Sequence, residues 1–115
     1  MREGVEHRRR WPRLRLNLPA KIRVYRLRKP QGRDLGKATV ENISQGGAFL
    51  SGIETDKREL PCEPFQISMD VDQEPLRHWR ADCKIARLMS NGSIAAGVQF
   101  VRISKSNLEM IQALS

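Results

Sequence analysis

Four stretches of this chain alternate apolar and polar residues with a period of two, and that period sets what it can fold into. Leu18, Ala20, Ile22 and Val24 fall on one side of the first, with Pro19, Lys21, Arg23 and Tyr25 on the other. Phe65, Ile67, Met69 and Val71 face inward in the second, with Gln66, Ser68 and Asp70 outward. The third runs from Trp79 to Met89, with Ala81, Cys83 and Ile85 apolar, and slips phase at Ala86-Arg87-Leu88, the mark of a bulge. Ile94, Ala96, Val98 and Phe100 share a face in the fourth. Successive side chains of a strand point to opposite sides, so each stretch reads as a half-buried strand. Two shorter strands, Lys37–Ser44 and Ala48–Ser51, join around Gly46-Gly47. Loops are expected at Lys29–Gly36 and Gly52–Pro64, a turn at Glu74-Pro75 and a hairpin at Ser90–Ser93.

The period changes at the end of the chain. Ser106-x-x-Glu109 has the form of a capping box, and Leu108 and Ile111 lie on one side of a short helix at about 105–114. Strands with one apolar face must bury it, and closing the sheet also removes its edges. The expected fold is mainly β: a small six-stranded antiparallel β-barrel with a short C-terminal helix. Residues 1–16 are expected as a flexible basic arm, and 17–115 as a single barrel domain.

The charge is unevenly placed. Residues 1–28 hold ten Lys/Arg against two Asp/Glu, whereas residues 29–115 hold eleven of each, so the net charge of +8 belongs to the arm and first strand. A basic arm on a neutral body points to a localised anionic partner rather than a uniformly coated polyanion. No apolar run reaches the ~18 residues of a membrane span, and no apolar leader precedes the arm, so the cytoplasm is the expected compartment. There Cys62 and Cys83 are expected as reduced thiols, Cys83 in the core. His7 and His78 have no Ser or Cys beside them, and Cys, His and carboxylates do not cluster. Neither an enzyme nor a metal site is expected.

Two stretches carry chemistry. His7–Arg15 packs five arginines and Trp11 into one short segment and contains Arg9-x-x-x-Arg13. A guanidinium is a planar fork of donors that grips phosphate or the edge of guanine with two bonds. The other stretch is Asn42-Ile43-Ser44-Gln45-Gly46-Gly47. Asn42 and Ser44 alternate on one side of a strand, and Gly47 allows a positive φ or the close approach of a ligand. The amide of Asn can give and accept bonds in the plane of a nucleobase edge.

Arg9-x-x-x-Arg13 in an arm, followed one strand later by Asn42-x-Ser44-x-x-Gly47, resembles the paired signatures of PilZ domains, bacterial receptors for cyclic di-GMP. Arg8 and Arg10 match the arginine-rich form of that arm, and Gly97-Val98-Gln99-Phe100 is similar to the family's closing strand. The resemblance covers about Glu6 to Val101. It implies a six-stranded barrel with its ligand on the outside, clamped by the arm. Arg9 and Arg13 would hold phosphate and guanine edges, helped by Arg8 and Arg10. Asn42 and Ser44 would contact a guanine or its phosphate, and Gly47 would keep the turn's shape. Cyclic di-GMP is then the ligand, no cofactor is needed, and a downstream protein partner reads the ordered arm. Trp79 and the cysteines have no role in this pattern.

Two other readings compete. A basic β-barrel that binds nucleic acid would present several aromatics for stacking, and aromatics are 5% of this chain. A degenerate PilZ-type module would act through protein contacts alone, against which the intact motifs count. For Asn42 and Ser44 taken singly, local bonding within a β-turn is the commoner role.

Overall fold

The computed structural model describes residues 12–114. Six antiparallel strands form a closed barrel in the order β1-β2-β3-β6-β5-β4. They are β1 (Leu14–Arg26), β2 (Lys29–Ile43), β3 (Gly47–Thr55), β4 (Phe65–Gln73), β5 (Leu76–Ser90) and β6 (Ile94–Ile103), followed by a helix, α1 (Lys105–Leu114). The alternating residues of β1 and β4 fill the interior: Ile22, Val24, Ile67, Met69 and Val71 are buried with Val40, Leu50, Ala96 and Val98. The expected slip in β5 is present as a break of register between Ile85 and Arg87.

The sequence expectations needed several corrections. The loop expected at Lys29–Gly36 is strand, because the chain turns earlier, at Leu27-Arg28, and β2 pairs with β1 as far as Lys29. Gly36 belongs to close packing rather than to a turn, since a Cβ there would lie 2.2 Å from the carbonyl oxygen of Glu54 on β3. That strand runs on to Thr55, shortening the next loop. The barrel starts at Leu14 rather than at residue 17, because Leu14 and Leu16 continue the alternation of β1 and pack against the core, with Leu14 opposite Ile43. Ser68 is buried although it points outward; Arg23 and Asp82 flank it in register.

The helix cap also moves. Ser104, not Ser106, is the cap: its hydroxyl accepts the Asn107 N–H at 3.1 Å and its carbonyl accepts the Leu108 N–H at 2.9 Å. Satisfying these otherwise unpaired first-turn donors fixes where α1 begins. Trp79, to which the family resemblance gives no role, is 1% exposed and anchors the helix. Its indole N–H donates to the Asn107 carbonyl at 3.0 Å, and the Asn107 amide donates to the Arg80 carbonyl at 3.0 Å. Phe100 tilts against the indole at a centroid distance of 5.6 Å. From this seat α1 reaches the β2–β3 turn, where the Gln112 amide donates to Gln45 at 3.2 Å.

Both cysteines are free, Cys62 exposed and Cys83 buried. Burial first, and Asp82 second, push the Cys83 thiol up to about 12. The folded protein thus keeps this proton above pH 9, where the unfolded chain loses it, so stability falls as pH rises from about 9 towards 12. Urea midpoints measured across that range are expected to decline more steeply for the wild type than for Cys83→Ala. Parallel slopes would show that the thiol does not titrate with folding.

Candidate anion-binding site

The site is built where β1 starts and β2 ends. Leu14 pairs with Ile43 and Arg15 with Asn42. Arg13 immediately precedes Leu14, and Ser44 immediately follows Ile43, at the end of that ladder. Arg13 is exposed and stands immediately before the first strand. Four of the candidate residues, Arg13, Asn42, Ser44 and Gly47, thus gather at one end of the barrel. Arg8, Arg9, Arg10 and Trp11 lie outside the described residues.

Ser44 shapes the turn. Its hydroxyl accepts the Gly46 N–H at 3.3 Å and lies 3.4 Å from the Gly47 carbonyl, which also accepts the Ser44 N–H at 2.8 Å. A serine bonded to its own backbone two residues on is a local turn device. Gly47 has a single physical reason to be glycine: a Cβ would fall 2.1 Å from the Val98 carbonyl oxygen. The close neighbour is strand β6, not a ligand, and a positive φ is not involved. The Gly46 carbonyl next accepts the Phe100 N–H at 3.0 Å, so the turn is riveted to β6.

The register adds residues that the sequence alone did not bring forward. On one rung, Arg15 of β1 lies opposite Asn42, Asn42 opposite Phe49 of β3, Phe49 opposite Gly97 of β6, and Gly97 opposite Arg87 of β5. Neighbouring strands lie about 4.8 Å apart, so these five positions form a continuous strip across the outside of the barrel. Phe49 is half-buried and Gly97 has no side chain. Together they make a low apolar floor, with Asn42 and Arg15 at one flank and Arg87 at the other. An aromatic ring beside a bare backbone position suits the flat face of a base, and arginines at the flanks suit its edges or phosphates.

Electrostatics favours an anion here. Farther along the same strands and on β4, several cations are spent on carboxylates: Asp70 takes Arg23 at 3.4 Å and Arg80 at 2.5 Å, and Asp82 takes Arg102 at 3.8 Å. Arg13, Arg15 and Arg87, by contrast, make no ion pair or side-chain hydrogen bond among the described residues. No group of three or more His, Cys, Asp or Glu among the described residues is placed to hold a metal ion.

The chain is thus a closed six-stranded barrel with a polar turn at one end, flanked by arginines that make no ion pair among the described residues. The PilZ domain family model matches residues 7–115, and the chain belongs to that family. Three solved structures share the fold. The PilZ domain with c-di-GMP of YcgR from Escherichia coli is 17% identical, with a TM-score of 0.62 over 93% of this chain and 88% of that one. Bacillus subtilis MotI/DgrA, an inhibitor of motility, is 14% identical with a TM-score of 0.63, over 93% of this chain and 48% of that one. The PilZ domain of CeSA from a cellulose-synthesizing bacterium is 13% identical with a TM-score of 0.53, over 90% of this chain and 93% of that one. No curated protein matches the chain. Among the described residues no helix is long and apolar enough to cross a membrane.

Proposed function

We propose that this protein is a non-enzymatic cytoplasmic receptor for cyclic di-GMP, and that ligand binding orders its arginine-rich arm over the barrel to present a changed surface to a protein partner. What supports this reading is the ladder in which Arg15 pairs with Asn42, with Arg13 and Ser44 just beyond its first pair, Leu14–Ile43, at one end of the strip that runs through Phe49 and Gly97 to Arg87. Family membership supports it, as does the fold shared with a YcgR domain described with c-di-GMP.

The ligand's chemistry fits each part. Two phosphates take arginines. Guanine offers O6 and N7, adjacent acceptors that match a guanidinium fork. The flat base has an apolar floor in Phe49 and Gly97. Arg8, Arg9 and Arg10 of the arm would add further guanidinium groups for the phosphates, and holding them against the ligand would cost conformational entropy that the new bonds must exceed. The likeness to MotI, named as an inhibitor of motility, supports output through another protein.

Calorimetry with cyclic di-GMP, cyclic di-AMP and GTP tests the reading. Cyclic di-GMP is expected to bind selectively. Arg13→Ala is expected to weaken it by roughly tenfold to a hundredfold, the worth of one charged hydrogen bond. Absence of heat with cyclic di-GMP at micromolar concentrations of folded protein would overturn the receptor assignment.

A further inference from the structure

We infer that the free edge of β5, from Lys84 to Ser90, is a docking site for an acidic, extended segment of a partner protein. The barrel is closed over only part of this strand. The β4–β5 ladder ends at Ile67 opposite Cys83, whereas the β5–β6 ladder runs on to Ser90 opposite Ile94. Beyond Cys83, β5 is bonded to β6 alone, and no other backbone bond reaches this segment from the described residues. The chain ahead of β4 does not cover the gap, because the Pro64 carbonyl turns towards β1 and accepts the Leu27 N–H at 3.1 Å.

A row of unpaired N–H and C=O groups is a template for another strand. Main-chain bonds then supply affinity and alternate side chains supply selectivity. The side chains here are specific in both respects. Leu88 is 50% exposed although its partner across the ladder, Ala96, is fully buried, because no strand closes over that side of β5. An incoming apolar residue would cover it. Lys84 and Arg87 are exposed and unpaired among the described residues, and Lys84–Ser90 contains no carboxylate.

Those charges decide between occupants. Pairing this edge with the same edge of a second copy would place both copies' Lys84 and Arg87 in one short ribbon with no counter-charge. Like charges facing across a ladder destabilise it, and opposite charges stabilise it. The bulge between Ile85 and Arg87 twists the edge further from a flat self-pairing geometry. An extended segment alternating apolar and acidic residues meets both features at once.

The test titrates ¹⁵N-labelled protein with a capped alternating Val-Glu peptide of about eight residues, the length of an ordinary strand, and with its Val-Lys counterpart. The Val-Glu peptide is expected to shift Lys84–Ser90 and their β6 partners, to slow amide exchange along that edge, and to bind about tenfold more tightly than Val-Lys, a preference that salt weakens. Leu88→Glu is expected to weaken the peptide by about tenfold while leaving thermal melting and cyclic di-GMP binding as in wild type, since Leu88 lies off the strip. Equal binding of the two peptides, shifts elsewhere, or no shifts at millimolar peptide would overturn the inference. A concentration-dependent dimer protected at this edge would also overturn it, assigning the edge to a second copy.

Discussion

Gly47→Ala is expected to lower stability by about 3 kcal/mol and to abolish ligand binding. The cause is steric and local. A single methyl would lie 2.1 Å from the Val98 carbonyl oxygen, a distance that real Cβ atoms do not reach, and the obstacle is backbone that cannot rotate away. Strands β3 and β6 must therefore part at the rung where Gly47 faces Gln99. That rung is tied on one side to the Ser44 turn and on the other to Phe100 through the Gly46 carbonyl, so the opening spreads directly into the Asn42–Gly47 turn. Gly52 makes a fair comparison, with a φ of 57° and nothing within 4 Å of an added Cβ. Gly52→Ala is expected to cost about 1 kcal/mol, the strain of a left-handed residue, and to leave binding unchanged. Urea denaturation and calorimetry on both variants decide the matter. Unfolding of Gly47→Ala at the wild-type midpoint would show that the ladder can open without penalty.

The faces of this barrel were legible in its sequence because a strand's burial pattern is local. Leu18 to Val24 and Phe65 to Val71 announce their inward sides without reference to any neighbour. Glycines were misread because their reasons were not local. Gly36 looked like punctuation, yet its need is the nearness of Glu54, a residue far along the chain. The task of Trp79 is hidden for a similar reason: its indole N–H needs a partner when buried, and the partner is a carbonyl of α1. At the candidate site, spacing marks Arg13, Asn42, Ser44 and Gly47, and the bonds within the turn give Ser44 a structural task. The strip from Arg15 to Arg87 could not be read in advance. It depends on the register of four ladders, and a slip of one residue in any of them would send its members to the other face.

Reversing both ends of that strip, with Arg15→Glu and Arg87→Glu together, is expected to weaken cyclic di-GMP by roughly a hundredfold to ten-thousandfold. Each arginine is exposed and makes no ion pair among the described residues, so the substitutions break no contact that supports the barrel. Each charged hydrogen bond to a phosphate or guanine edge is worth about 1.5–3 kcal/mol, and a carboxylate in its place adds repulsion. The single variants distinguish the two ends. Arg15 shares a rung with Asn42, so Arg15→Glu acts beside the turn; Arg87 lies beyond Gly97, on the far side of the floor. If the ligand spans Phe49 and Gly97, both singles weaken binding and their effects combine. If it stays at the turn, Arg15→Glu alone matters. Calorimetry on the four proteins, each checked by its melting temperature, separates these outcomes. Binding of the double variant within threefold of wild type, from a folded sample, would falsify the strip's part in the site and confine the ligand to the arm and the Asn42–Gly47 turn.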